Sequence, residues 1–322
     1  DGSTATPSLA NSFATEIYTG NGGTQSVTTG FKPDLVWLKS RNFANNHFLY
    51  DSIRGANKAL YIQSEVEITR TGVSSFDTNG FTLGNSSDMN SNSNTFVSWN
   101  WKAGGGTPSI NTDGAITSLV SANQAAGFSV VTHKGTNSND TIGHGLGGIP
   151  ELIISKDINN ANPWGVYTSY TSINYYLYLQ NGDAVSAFAN GVYNPVNSTV
   201  FAPGTNGWNY QTGNYIHYLW RSISGYSKVG SYNGTASANS ITTGFEPGFV
   251  LIKNITNGSS NWVIIDDKRG SGATWLYPNN TDADYVSGGY TSLTSTGFSV
   301  SGGSQYINAS SSTYIYLAIK EN

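Results

Sequence analysis

The apolar positions of this chain come in short runs that alternate or stay continuous for four to six residues, and none follows a helical period. Leu35-Val36-Trp37-Leu38 is a continuous apolar run bounded by a Pro-containing turn, which predicts a buried strand. Phe128-Ser129-Val130-Val131 and Leu152-Ile153-Ile154 predict two more. In 96–101, Phe96, Ser98 and Asn100 fall on one face and Val97, Trp99 and Trp101 on the other, the period-2 pattern of a half-buried strand. Amphipathic stretches of helical length do not alternate with these strands, which disfavours a parallel α/β fold. Ala115 to Ala126 is the one place where a short helix is considered, weakened by its Ser, Thr and Asn content.

The strand pattern repeats. GFKPDLVWLKS (30–40) recurs as GLGGIPELIISK (145–156) and GFEPGFVLIKN (244–254), each a turn, a Pro and an apolar run ending in Lys. Downstream come HFLYDSIRG, WGVYTSYTS and WVIIDDKRG, then GFTLG, VFAPG and GFSVSG, and last FVSWNWKAG, YIHYLWRS and YIYLAIKEN. Blocks that keep one order three times define a tandem repeat. The expected organisation is a polar arm over 1–12, repeat one over 13–104, a Gly-rich linker over 105–126, repeat two over 127–222 and repeat three over 223–322. Each unit of about 100 residues holds six or seven short strands separated by turn signals, so the expected fold is all-β: three tandem antiparallel β-sandwich repeats. Residues 223–234 are expected to join repeats two and three tightly, and 104–112 to be the looser joint.

Composition narrows the function. Only 11% of the residues are charged, against roughly 25% in ordinary soluble domains, so Asn, Ser, Thr and Gly must carry solubility. A net charge of −4 with no basic run argues against a nucleic-acid partner. No apolar run reaches membrane-spanning length, so insertion in a membrane is not expected. The absence of Cys fits folding in a reducing compartment or stabilisation by assembly. The single methionine is internal, Met89, which suggests a processed chain or part of a longer one.

Candidate chemistry is sparse. Asp51 and Arg54 match Asp266 and Arg269, and Thr168 and Thr171 replace them in repeat two. These pairs are read as braces of turns ending in Gly55 and Gly270, with a polar ligand contact as the other reading. His133 and His144 lack the further ligands that a metal site needs. Asp266-Asp267 and Asp282-x-Asp284 lack the surroundings of a calcium loop or a glycosidase pair. No catalytic residue, metal or cofactor is assigned. Exposed aromatic rings suit sugar faces, and Tyr170, Trp208 and Tyr210, flanked by Ser, Asn and Gly, are the candidate ligand-binding residues.

The blocks GFKPDLVWLKSR, HFLYDSIRGA, SFDTNGFTLG, FVSWNWKAGG, GFSVVTHKG, YIHYLWRSISGYSKVGSY and NWVIIDDKR resemble a tandem module of unknown function from structural proteins of marine bacterial viruses. A looser likeness, carried by Pro247, Val250 to Ile252, Gly297-Phe298 and Tyr316 to Ile319, is to H-type lectins and phage fibre knobs. The resemblance implies a virion protein of a tail fibre, tail tip or capsid appendage. It supplies no ligand; a homo-oligomer among other virion proteins is expected by analogy, and recognition of a cell-surface glycan by one repeat is the binding-module reading. A bacterial or archaeal surface filament or adhesin is the alternative, and a glycan-cleaving depolymerase is least favoured. Three repeats in one chain are also able to pack together without partners.

Overall fold

The computed structural model describes residue 9 and residues 11–63, 66–172, 174–187, 192–205, 208–210 and 213–321. Every regular element among them is a β-strand, and all pairings within the sheets are antiparallel. No helix among the described residues is long and apolar enough to cross a membrane.

One strand order occurs three times. In the first segment Phe13–Thr19 pairs with Thr95–Trp101, which pairs with Leu35–Ser40 and then Phe48–Asp51. The second segment repeats this with Phe128–Lys134, Asn214–Trp220, Leu152–Asp157 and Gly165–Thr168. The third uses Ser227–Asn233, Thr313–Ile319, Phe249–Asn254 and Val263–Asp266. A small sheet covers one face of each: Gln25–Thr28, Gly80–Leu83 and Val73–Asp77 in the first, Asn239–Thr242, Gly297–Val300 and Thr291–Thr294 in the third. In the second, Ile142–Gly143 and Val200–Phe201 are the strands that pair there among the described residues.

The side-chain period of two explains the packing. In Leu35–Ser40, Val36 and Leu38 face the small sheet, whereas Leu35 and Trp37 face away from it. That second face is also buried, because the large sheets of all three segments contribute to one central core. Trp101 makes the sharing explicit. Its ring centroid lies 6.0 Å from that of Trp220 and 5.4 Å from that of Phe249, from the second and third segments. Each segment therefore has a small core of its own and a share of a larger one.

Three expectations change. The strand Thr95–Trp101 is buried on both faces, not one. Its polar face is tolerated because Asn100 Nδ2 donates to Ala14 O at 3.0 Å and Ser98 Oγ at 3.0 Å, which gives the buried amide nitrogen and the Ser98 hydroxyl their partners. Residues 105–126 are not a loose linker, and 115–126 form no helix. Ser109–Asn111 and Ser118–Asn123 are strands that extend the second sheet beyond Phe128–Lys134. The β-branched and small residues there find a ready edge to pair with, and tertiary pairing outweighs the weak helical preference. Residues 223–234 are ordered: a tight turn closed by the Ile223–Ser227 bridge leads directly into Ser227–Asn233.

Candidate ligand-binding groove

The turn pairs do more than brace turns. Arg54 Nε lies 2.5 Å from Asp51 Oδ2 and Arg269 Nε 2.7 Å from Asp266 Oδ2, all four side chains nearly or fully buried. Each Asp also accepts a hydrogen bond from another segment: Asp51 Oδ2 from Tyr218 OH at 2.8 Å, Asp266 Oδ2 from Trp99 Nε1 at 3.0 Å. Burial and the Asp51 charge push the Tyr218 phenol well above its ordinary pKa, so it is a permanent donor. Trp99 and Tyr218 occupy equivalent strand positions, and Leu317 is their counterpart in the third segment. Leu317 has no donor, and the Asp counterpart in the second segment is Thr168. The charge is thus missing from the one seam where the facing position cannot donate to it.

The Lys that ends each Pro-led run is buried and bonded to carbonyls. Lys39 Nζ donates to Thr281 O at 3.2 Å in the third segment, and Lys253 Nζ to Gly182 O at 3.2 Å in the second. Lys156 Nζ donates to Asn162 O at 2.6 Å. Burial lowers Lys39 to about 8 and Lys253 to about 7. Tryptophans add matching links, Trp164 Nε1 to Tyr61 O at 2.7 Å and Trp262 Nε1 to Tyr178 O at 2.9 Å. These links run from second to first, third to second and first to third segment. Asp284 strengthens the last seam by pairing with Arg41 and Arg269, both at 2.9 Å, so Asp282-x-Asp284 is not a free acidic loop.

The histidines are structural. Tyr193 OH donates to Ser155 Oγ at 2.8 Å, and Ser155 Oγ lies 2.7 Å from His217 Nδ1. His217 Nε2 lies 3.1 Å from His133 Nδ1, and His133 Nε2 lies 3.3 Å from Asn209 Oδ1. With both imidazoles neutral, every member has a partner in this chain of hydrogen bonds. Burial lowers His133 to about 4 and His217 well below the usual range. Ser155 and His217 are both wholly enclosed, so their contact offers a substrate no approach. His144 bonds to Asn197 O and to the Leu146 amide.

Of the three candidate aromatic residues, two are exposed and one is not. Tyr170 is 43% exposed and Tyr210 is 54% exposed. Trp208 is 3% exposed: it stacks on Tyr193 in the second segment's own core and donates from Nε1 to Pro163 O at 3.0 Å. Its polar, Gly-rich flanks suggest a loop surface, but the missing side chain of Gly165 opens the space its ring fills. A Cβ there would lie 2.0 Å from the ring. Trp208 is therefore a core residue and not a ligand-binding one. Tyr210 does not line the groove that contains Tyr170.

That groove, of about 370 Å³, lies where the edge strand Ser227–Asn233 and the small-sheet strand Asn239–Thr242 of the third segment meet Tyr170 of the second. Tyr316 forms its floor, reached past Gly230 on the neighbouring strand. A Cβ on Gly230 would lie 2.4 Å from the Tyr316 ring, so glycine is required for the ring to lie there. Glu16 and Val131 hold the equivalent positions in the other segments, so this floor belongs to the third segment alone. Tyr170 OH donates to Val229 O at 3.2 Å and anchors the ring across the seam. Burial and the nearby Tyr170 raise the Tyr316 phenol to about 12, which keeps it a donor. Lys228, the one cation among the described lining residues, donates to Thr242 O at 2.8 Å. The sequence marked Tyr170 by its flanks, but Gly230 and Tyr316 carried no local signal, because their roles arise from cross-strand register.

An all-β chain with a shared central core and a polar, tyrosine-lined groove is the class that this geometry defines. The chain belongs to the family described as Domain of unknown function (DUF7483), whose model matches residues 8–322 and so spans all three segments. No curated protein matches the chain.

Proposed function

We propose that the chain is a structural component of a bacteriophage virion, in a tail fibre, tail tip or capsid appendage, and that it presents the Tyr170 groove to a glycan on the host surface. The observation that carries the reading is the groove itself: a tyrosine ring held across a seam beside hydroxyl, amide and backbone groups. Sugars present apolar ring faces and many hydroxyls, and amphipathic aromatic rings with fixed polar neighbours match both. The shared core and buried cross-segment bonds support the structural half, since a particle exposed outside a cell needs parts that do not open. The resemblance of the repeated blocks to phage structural modules points the same way. Immunogold labelling of purified particles with an antibody to this chain tests the location: label on an appendage supports it, and label absent from particles that carry the gene rejects it.

A further inference from the structure

We propose that the Tyr170 groove takes a compact, uncharged sugar unit rather than an acidic sugar or an extended peptide strand. This rests on the glycan reading above and adds to it the class of ligand.

The first argument concerns the strand edge. Gly234 N bonds to Ser312 O and Lys320 N to Tyr226 O, so even-numbered residues of Ser227–Asn233 direct their backbone groups to the neighbouring strand. Val229, Ser231 and Asn233 therefore direct theirs outward. An unpaired edge of this kind is the usual docking place for a partner strand. Here it is largely occupied. Val229 N donates to Ser222 Oγ at 3.0 Å, Val229 O accepts from Tyr170 OH, and Asn233 O accepts from Asn239 Nδ2 at 3.0 Å. Ser231 alone keeps both its amide and its carbonyl open among the described residues of this edge. One open pair cannot hold a strand, whose ladder needs successive pairs, but it can bond two hydroxyls of a sugar. In the second segment the equivalent edge is filled by Ser118–Asn123, which shows what an uncapped edge of this fold accepts.

The second argument concerns charge. Among the described residues lining the groove, Lys228, already bonded to Thr242 O, is the one cation, and none is a carboxylate. The charged group acting on Tyr170 is Glu151, whose negative charge helps to raise the phenol's pKa after burial. An anion seated beside Tyr170 would meet that repulsion with one partly used ammonium to offset it. Neutral hydroxyls meet donors and acceptors without either cost. The groove volume is at the lower end of small-ligand sites, ~300–1,000 Å³, which suits one or two sugar units.

Calorimetry on the full chain tests the proposal. The probes are neutral oligosaccharides of glucose, galactose and N-acetylglucosamine, set against sialylated and uronic-acid oligosaccharides. The expected result is binding of a neutral probe that weakens at least about tenfold, a ~1.4 kcal/mol loss, in Tyr170→Ala and in Asn239→Ala, and persists in Tyr170→Phe. Circular dichroism on each variant confirms that the fold is kept. Acidic probes that bind and are lost in the same variants overturn the ligand class and leave the glycan reading standing. Glycan binding unchanged in both alanine variants overturns the groove as the site. Binding of no glycan at all overturns both readings.

Discussion

Tyr218 donates its hydroxyl to Asp51 Oδ2 at 2.8 Å across 167 residues of sequence, and Asp51 in turn holds Arg54. A buried carboxylate held by a guanidinium and a neutral donor is costly to break from one side, because the remaining charge stays buried. The seam with Thr168 and Leu317 at the matching positions shows that the fold also accepts an uncharged version. Asp51→Thr alone should therefore destabilise by about 3 kcal/mol or more. The triple variant Asp51→Thr, Arg54→Thr, Tyr218→Leu should cost clearly less than Asp51→Thr. Urea unfolding of both proteins measures the difference, and additive losses would contradict a coupled network.

Trp208 and Tyr170 separate core from surface. Trp208→Ala removes a buried ring and should cost about 3–5 kcal/mol. Tyr170→Ala should change stability by about 1 kcal/mol, the worth of its one hydrogen bond to Val229. Thermal melts of the two variants compare them directly. Equal losses would mean that Tyr170 is also a core residue.

Much of the fold was legible in the sequence and some of the site was not, for a physical reason. The Pro-led runs are continuous apolar stretches of strand length bounded by turns, so Leu35–Ser40 and its counterparts read as strands without any tertiary knowledge. Their terminal Lys recurred visibly as well. Its burial against carbonyls of another segment was hidden, since Lys39 and Thr281 meet only after three sheets share a core. The same holds for Ser98 and Asn100, whose polarity predicts an exposed face until their bonding partners are in place. Ser118–Asn123 misled for the converse reason: a free sheet edge set its conformation, and local preference was too weak to resist.

The buried histidines make stability depend on pH. Lowered imidazole pKa values mean that the unfolded chain takes up protons first as pH falls, so their contribution is full above about 6.5 and declines towards about 4, where His133 titrates in the folded protein. Glu321, raised to about 7 by burial and by Asp267, acts oppositely and favours the fold as pH falls from 7 towards its unfolded value. The variant His133→Tyr, His217→Ser copies the first segment's Tyr18 and Ser98. It should lose less stability than the natural protein between pH 6.5 and 4 in urea titrations. Parallel pH curves for the two would contradict a titrating pair.

The lysines set a second window. Lys39 and Lys253 have pKa values of about 8 and about 7 in the folded protein, below the ~10.4 of an unfolded chain. The unfolded state therefore holds more protons between roughly pH 7 and 10, and their contribution to stability rises with pH there. Nitrogen-detected NMR of the two side-chain amines, titrated over pH 6 to 10, reads these values directly. Midpoints near 10 for both would contradict the enclosed placement of the ammonium groups.

The central functional claim is that the Tyr170 groove binds glycan, and a glycan array probed with the intact natural chain and with Tyr170→Ala tests it most directly. The account predicts defined glycan spots for the natural chain that fade in the variant while both proteins remain folded. An array on which the natural chain binds no glycan, or on which the variant binds the same spots equally well, would contradict it.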